Sequence, residues 1–148
     1  MIELSPEQNK QLCETYPFLL PRNRWTDEVS EDFDYSYTEL DAMPDGWREA
    51  FGLQMCNELK EALEKIDKIN EFRIEQIKEK FGELRFYTNW INDDIDKIIA
   101  KYEVISRRTC ICCGKPATQI TTGWISPFCD ECVENINDRH VPIDEFYK

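Results

Sequence analysis

The sequence predicts an α+β fold in which a small antiparallel sheet is packed by two main helices and a cysteine-bearing ribbon is docked at the C-terminal end. Two stretches carry apolar residues at three- and four-residue intervals, which is typical of amphipathic helices. Between them, apolar and polar residues alternate around Phe81-Gly82, which favours a β-hairpin. Two C-x-x-C pairs near the end predict a small metal-held unit. We expect residues 1–106 to form the α+β core domain and residues 107–148 to form the ribbon and tail.

The first element carries the signature of a short, capped helix. Ser5 can cap it, Pro6 suits the first helical position and Gln8 completes a capping box. The next segment, residues 17–21, is apolar but bracketed by prolines. We therefore expect it to be extended and packed on the core.

An acidic stretch follows, with eight acids and no base between Arg24 and Arg48. Within it, three aromatic residues alternate with polar ones, which predicts a half-buried strand. A solvated acidic face is one reading of this charge. The other is a surface that meets a basic partner or imitates the charge of nucleic acid. The residues that we expect to meet such a partner are Asp32, Asp34, Tyr35, Tyr37, Glu39 and Asp41.

The middle of the chain should contain the two main helices and the sheet. Apolar residues from Trp47 onward predict a helix near residues 45–68. For residues 71–88 we favour a hairpin with a bulge at Ile77, whereas a helix ending at Gly82 is the alternative. The second main helix is predicted near residues 92–106.

The four-cysteine ribbon is the most specific motif in the chain. Fifteen residues separate its two C-x-x-C pairs, and this spacing suits the tetrahedral thiolate geometry that Zn²⁺ prefers. Four thiolates leave no open position, so the spacing predicts a structural zinc ion rather than a catalytic one. The predicted metal ligands are Cys110, Cys113, Cys129 and Cys132.

The sequence also predicts several details of this docked C-terminal zinc ribbon and of the tail that follows it. Gly114 should adopt a positive φ just after the first pair, and Cys112 should be a spare thiol. His140 could serve as a reserve ligand. A short helix should begin at the second pair and fade by Asp138, and residues 141–143 should form a loose tail.

Composition and charge exclude several classes of function. The formal net charge is −12, with −9 on residues 1–70 and −3 on residues 71–148. Duplex DNA binding depends on Lys and Arg side chains that displace counterions, so nucleic acid is a possible but disfavoured partner. A single histidine and no phosphate-binding loop or metalloprotease motif predict that the chain is not an enzyme. No run is long enough to cross a bilayer and no signal peptide is evident, so we expect a cytoplasmic protein.

These observations favour a non-enzymatic binding protein that engages another protein through its acidic surface. The first alternative is a nucleic-acid-binding zinc-ribbon protein that uses Arg107, Arg108 and Lys115. The second is a nucleotide or signal-molecule binder with a pocket near Arg73, Arg85 and Tyr87.

Three segments carry a resemblance to a known family. They are residues 37–47 (YTELDAMPDGW), residues 76–87 (QIKEKFGELRFY) and residues 123–129 (GWISPFC) with its partner cysteines. In combination the chain resembles a family of small uncharacterised proteins found in bacteria, prophages and phages, over about residues 16–132. The resemblance implies a mobile-element setting and the same paired-cysteine zinc ribbon. The family carries no activity that transfers to this chain. In a mobile-element setting, the segregated acidic charge leads us to expect a host or phage protein as the partner, such as a defence or nucleic-acid-handling factor, and the host cytoplasm as the location.

Overall fold

In the computed structural model, which describes residues 3–148, helices surround a β-hairpin in the first two thirds of the chain. This arrangement confirms the predicted α+β class. The two main helical stretches pack on each other, and the second also packs on the hairpin. The elements of this part are α1 (Pro6–Thr15), 3₁₀ turns at Pro17–Leu19 and Glu39–Ala42, α2 (Asp45–Trp47), a π-helical segment (Arg48–Gly52), α3 (Leu53–Lys65), β1 (Ile74–Lys80), β2 (Glu83–Thr88) and α4 (Asp93–Ser106).

The capped first helix is confirmed. The Ser5 hydroxyl accepts a hydrogen bond from the Gln8 backbone N–H, and the Gln8 side chain accepts one from the Ser5 N–H. The segment after it is buried as expected, but it is not extended. Pro17–Leu19 forms a 3₁₀ turn, closed by a hydrogen bond of 2.9 Å from the Leu19 N–H to the Tyr16 carbonyl. Proline suits the first position of such a turn because its missing N–H would be unpaired there anyway.

The strand predicted within the acidic stretch is wrong. Residues 31–37 form turns, and Tyr35 has a φ of +59°. The alternating aromatic side chains pack on one another, with the Phe33 ring 4.8 Å from Tyr35 and 5.4 Å from Tyr37, rather than lining one face of a sheet. The Asn9 side chain anchors the segment to α1 through the Tyr35 carbonyl at 2.9 Å.

The long helix is confirmed from Asp45 to Lys65, with a π-helical segment that the sequence analysis missed. The hairpin is also confirmed, and it turns at Phe81-Gly82. Its bulge lies between Ile74 and Gln76 rather than at Ile77, so this detail of the prediction is wrong. With the bulge near the start of β1, Ile77 pairs in register with Phe86 of β2, and both are buried.

The C-terminal part forms a second, three-stranded sheet. Its elements are β3 (Gln119–Thr121), β4 (Pro127–Phe128), α5 (Asp130–Val133), β5 (His140–Pro142) and α6 (Ile143–Phe146). β3 lies in the centre and pairs antiparallel with β4 on one side and β5 on the other. The short helix predicted to begin at the second cysteine pair is confirmed, although it ends at Val133.

The loose tail predicted at residues 141–143 is wrong. Val141 pairs with Ile120 in the sheet, and the Ile143 N–H donates a 2.9 Å hydrogen bond to the Thr118 carbonyl. Ile143 is only 4% exposed and packs in a cluster with Ala117 and Ile120. Burial of Ile143, with Val141 and Tyr147 packed against the same cluster, orders this segment.

The ribbon is docked on the core, as predicted. The Trp47 indole N–H donates a 2.9 Å hydrogen bond to the Thr109 carbonyl, and the Gly46 N–H donates one of 2.8 Å to the Ile111 carbonyl. Trp47 itself is fully buried in the main core. The division at residues 106/107 stays a prediction, although α4 ends at Ser106. Across residues 3–148, no helix combines the length and apolar character that a bilayer span requires.

Candidate metal centre

The four predicted ligands meet at one point in the ribbon. The Sγ atoms of Cys110, Cys113, Cys129 and Cys132 all lie within 4.8 Å of one another. Sulfurs bound tetrahedrally to zinc at about 2.3 Å would lie about 3.8 Å apart, and the Cys113 and Cys129 Sγ atoms are 3.6 Å apart. All seven cysteines are free thiols. The donor set and its spacing therefore fit a tetrahedral metal ion.

The first cysteine pair lies in a tight turn. The Gly114 N–H donates a 3.0 Å hydrogen bond to the Cys110 carbonyl, and the Cys110 N–H donates one of 2.8 Å to Lys115. Gly114 has a φ of +85°, which confirms its predicted conformation. Burial raises the pKa of the Cys110 thiol, but hydrogen bonds from the backbone N–H groups of Cys129, Cys113 and Cys112 outweigh it and lower that pKa to about 7. The turn thus favours a thiolate at Cys110.

The second pair lies at the start of α5. β4 delivers Cys129 to the helix N-terminus, where its sulfur accepts a 3.5 Å contact from the Cys132 N–H. Burial raises the pKa of the Cys132 thiol, and hydrogen bonds to the neighbouring thiols raise it further. A cation bound between the four sulfurs would displace the protons of their thiols.

The remaining candidate ligands lie outside the four-thiol group. Cys112 is exposed and does not belong to the set, in agreement with its prediction as a spare thiol. The His140 ring is held in β5, where Nδ1 lies 2.9 Å from the Gln119 side-chain oxygen. Four thiolates close a tetrahedral shell, so the arrangement suits a structural ion and offers no position for a substrate.

The turn that holds the first cysteine pair approaches the long helix closely, which the sequence did not predict. A Cβ on Gly46 would overlap the Cys110 carbonyl oxygen and lie 2.6 Å from the Ile111 carbonyl carbon. A Cβ on Gly114 would lie 2.7 Å from the Gly46 carbonyl oxygen. The only sequence signal for this contact is two glycines, one beside Trp47 and one beside the first cysteine pair. Hydrophobic periodicity does not relate residues so far apart in the chain.

The acidic residues predicted to meet a partner are partly engaged within the chain. Asp41 accepts a hydrogen bond from the Thr38 N–H and forms an ion pair with Arg48, while Asp34 accepts one from the Ser36 N–H. Burial raises the pKa of the Glu39 carboxyl. Two of the predicted residues, Tyr35 and Tyr37, pack on Phe33, and Asp32 is exposed.

The predicted residue Asp32 and two further carboxylates of the same stretch are better placed to meet a partner. Glu28, Glu31 and Asp32 are exposed, and within residues 3–148 none of them lies within 4.0 Å of a basic group. We name this group the acidic loop.

The basic residues of the first alternative are all paired with acids. The partners are Glu83 for Arg107, Asp144 for Arg108 and Glu131 for Lys115. They therefore do not form a free cationic surface.

The residues of the second alternative do not come together. Arg73 lines a groove of about 850 Å³, where its guanidinium binds Asp27 through two nitrogens at 2.7 and 3.1 Å. Arg85 and Tyr87 do not line that groove, and Arg85 forms an ion pair with Glu83.

No protein-family model, curated protein or solved structure matches the chain. What the protein does therefore has to be inferred from its own residues and their geometry.

Proposed function

We propose that this protein is a non-enzymatic binding protein of the phage or mobile-element type. It engages a basic partner protein of the host cell, such as a defence or nucleic-acid-handling factor, and acts in the cytoplasm. The observation that carries the proposal is the segregation of charge: eight acids and no base lie between Arg24 and Arg48. A surface of one sign speeds association with a partner of the opposite sign.

The acidic loop is the part of that stretch that meets the partner. Asp34 and Asp41 already accept hydrogen bonds from their own chain, so their charge is partly satisfied. Glu28, Glu31 and Asp32 are exposed, and no base within residues 3–148 pairs with them. Their carboxylates can pair with a partner without first breaking a contact within this chain.

We further propose that the metal is Zn²⁺ and that its role is structural. An all-thiolate tetrahedral set suits zinc, and four thiolates leave no position for a reacting ligand. The ion would hold the ribbon in the shape that docks on Trp47. Metal analysis of protein purified in reductant should give one zinc per chain. A substoichiometric content, or iron in its place, would refute the assignment.

The binding proposal is tested by reversing the charge of the acidic loop. Glu28→Lys, Glu31→Lys and Asp32→Lys are combined in one variant, and affinity capture from host lysate is compared with that of the wild type. We expect the variant to lose the captured basic protein, and the wild-type complex to weaken as salt rises.

A matched control reverses three exposed acids elsewhere, namely Glu3, Glu61 and Glu134. It changes the net charge by the same amount, so it should retain the partner if the site and not the total charge decides binding. Equal capture by the acidic-loop variant and the wild type would sink the proposal.

A further inference from the structure

A second surface, which differs in its chemistry from the acidic loop, begins at the tip of the hairpin. Phe81 has a φ of +54° and is 67% exposed. A bulky aromatic residue seldom adopts positive φ, where Asn or Gly is preferred. The exposed ring gains little from its own chain beyond the Lys80 ammonium, which lies 5.7 Å from the ring centroid. Backbone strain together with an exposed aromatic ring indicates a contact outside the chain.

The second aromatic residue of this surface is presented by a rigid loop. Trp124 is 75% exposed, yet its backbone is held at both ends. Its N–H donates a 2.9 Å hydrogen bond to the Asp138 carboxylate, and its carbonyl accepts one from the Thr121 hydroxyl. The indole is therefore displayed from a preorganised position, so little conformational entropy is lost when a ligand covers it.

The two aromatic residues belong to one region of the surface. A Cβ on Gly82 would lie 3.2 Å from the Ile125 Cγ2 atom and 3.5 Å from the Pro127 ring. The tip of the hairpin thus rests on the loop that carries Trp124. Phe81 is the residue before Gly82, and Trp124 is the residue before Ile125, so the two aromatic residues lie beside this contact.

The loop that carries Trp124 is uncharged, and at the hairpin tip the Glu79 carboxylate accepts a 2.9 Å hydrogen bond from the Gly82 N–H. Residues 119–128 contain no charged side chain, in a chain whose net charge is −12. Lys80 is the last residue of β1, and Arg139 lies just before β5. Within residues 3–148, neither has a carboxylate at ion-pair distance. The Asp138 carboxylate accepts hydrogen bonds from the Trp124 and Arg139 backbone N–H groups, which disperse its charge. We name Lys80, Phe81, Trp124 and Arg139 the aromatic edge.

We propose that the aromatic edge binds single-stranded nucleic acid. Bases stack on the rings of Phe81 and Trp124, and phosphates contact Lys80 and Arg139. Single strands combine flat aromatic faces with repeated negative charge, and proteins hold them by aromatic stacking and basic side chains. These two cations differ from Arg107, Arg108 and Lys115 near the first cysteine pair, which are paired with acids. The net charge of −12 opposes the wrapping of a duplex, whereas a short single strand needs to contact only this edge.

The test measures the anisotropy of fluorescein-labelled dT12 and U12 with the full-length, zinc-loaded protein at 20 and 200 mM salt. Trp124→Ala should weaken binding by about 5- to 150-fold, the range for loss of one base stack. Trp25→Ala is the matched control, because Trp25 is 90% exposed on a different loop, and it should bind like the wild type.

A second variant separates the lost ring from a damaged fold. Phe81→Asn removes the ring but suits the positive φ of the turn. It should therefore weaken binding while leaving the melting temperature equal or higher. If binding is unchanged in this variant, the base does not stack on Phe81 and the proposal fails.

Salt dependence tests the two cations. Two phosphate contacts predict a loss of affinity of roughly 25-fold for a tenfold rise in salt. Replacing both Lys80 and Arg139 by Gln should remove most of that dependence, whereas Lys97→Gln, an exposed lysine elsewhere, should not. Absence of wild-type binding at 20 mM salt would overturn the proposal. So would a Trp124-dependent dimer that sediments as such without oligonucleotide, because the edge would then be a protein interface. Neither result bears on the acidic loop.

Discussion

At the scale of single residues, two glycines decide how closely the cysteine ribbon approaches the core. The Gly46 N–H donates to the Ile111 carbonyl, and the Gly46 carbonyl oxygen lies where a Cβ on Gly114 would have to go. At these two positions the turn of the first cysteine pair and the start of the long helix therefore approach each other through backbone atoms. Side chains at either position would push the two units apart. The hydrogen bond from Trp47 to Thr109 would then be broken.

Gly46→Ala should destabilise the protein although alanine is the better helix former. The added methyl overlaps the Cys110 carbonyl oxygen, and overpacking against a rigid backbone costs about 1–3 kcal/mol. Urea denaturation should give a free energy of unfolding lower by about that amount. Gly52→Ala is the control in the same helical stretch, since its Cβ meets only the flexible Arg48 Cγ at 3.3 Å and Leu40 Cδ1 at 3.4 Å. An equal loss in both variants would contradict this close approach.

The seven thiols should divide into three classes of reactivity. Burial raises the pKa of Cys56 to about 12, and burial together with Glu14 and Glu39 raises that of Cys13 to about 11. At pH 8 both are therefore neutral thiols and poor nucleophiles. Iodoacetamide should label the exposed Cys112 first in the metal-loaded protein, as read by mass spectrometry.

Chelation should then expose the four clustered thiols to the same reagent while Cys13 and Cys56 stay protected. Rapid labelling of Cys13 or Cys56 in the native state would show that the core opens more readily than its burial suggests.

At the scale of elements, the π-helical segment has a cause in the sequence. Trp47, Phe51, Met55, Leu59 and Leu63 recur every four residues, and all five are buried. Four residues of an α-helix turn through about 400°, so a strict four-residue spacing drifts by about 40° per step. A π turn contains one additional residue and offsets part of that drift. The segment Arg48–Gly52 thus keeps the whole stripe directed at the core.

The C-terminal segment depends on one apolar anchor. Ile143→Ala should loosen β5 and α6, because deletion of a buried Ile side chain costs about 2–5 kcal/mol. Hydrogen exchange should accelerate at the amides of β3 and residues 140–147, with little change in α3. Phe146→Ala, at a half-exposed position, is the control. Unchanged exchange in Ile143→Ala would mean that the strand pairing holds the tail without the anchor.

At the scale of the whole molecule, the candidate metal centre and the main core are physically connected. The Trp47 ring is buried in the core, while its indole N–H bonds the carbonyl of Thr109, next to the ligand Cys110. On the other side, Arg107 at the end of α4 forms an ion pair with Glu83 of β2. A change in the ribbon is therefore transmitted to the long helix and to the hairpin.

Removal of the metal should unfold the ribbon and lower the stability of the core. Structural zinc sites supply about 10–16 kcal/mol of apparent binding energy, which appears as local folding energy. Chelation should thus lower the melting temperature and shift the emission of the buried Trp47 to the red. Restoration of zinc should reverse both changes. Identical melting curves with and without the metal would show that the ribbon folds and docks without it.

Local patterns were sufficient wherever an element's identity depends on its own residues. The capping box at Ser5, the apolar stripe from Trp47, the hairpin turn at Phe81-Gly82 and the cysteine spacing were all predicted correctly. Each of these depends on hydrogen bonds between near neighbours, on periodic burial or on a fixed ligand spacing. Residues 31–37 alternate aromatic and polar residues with the period of a strand. No strand forms there, because alternation alone does not supply a neighbouring strand to pair with.

By itself the sequence determined the α+β class, the two main helices, the hairpin and the four thiols of the metal centre, because periodicity, turn chemistry and ligand spacing are local properties. Only the tertiary structure decided that Ile143 anchors a third strand, that Asp34 and Asp41 bond within their own chain, and that Phe81 and Trp124 share one edge. These relations join residues distant in the chain or depend on backbone conformation. Contacts of that kind follow from packing and carry no period that a sequence can display.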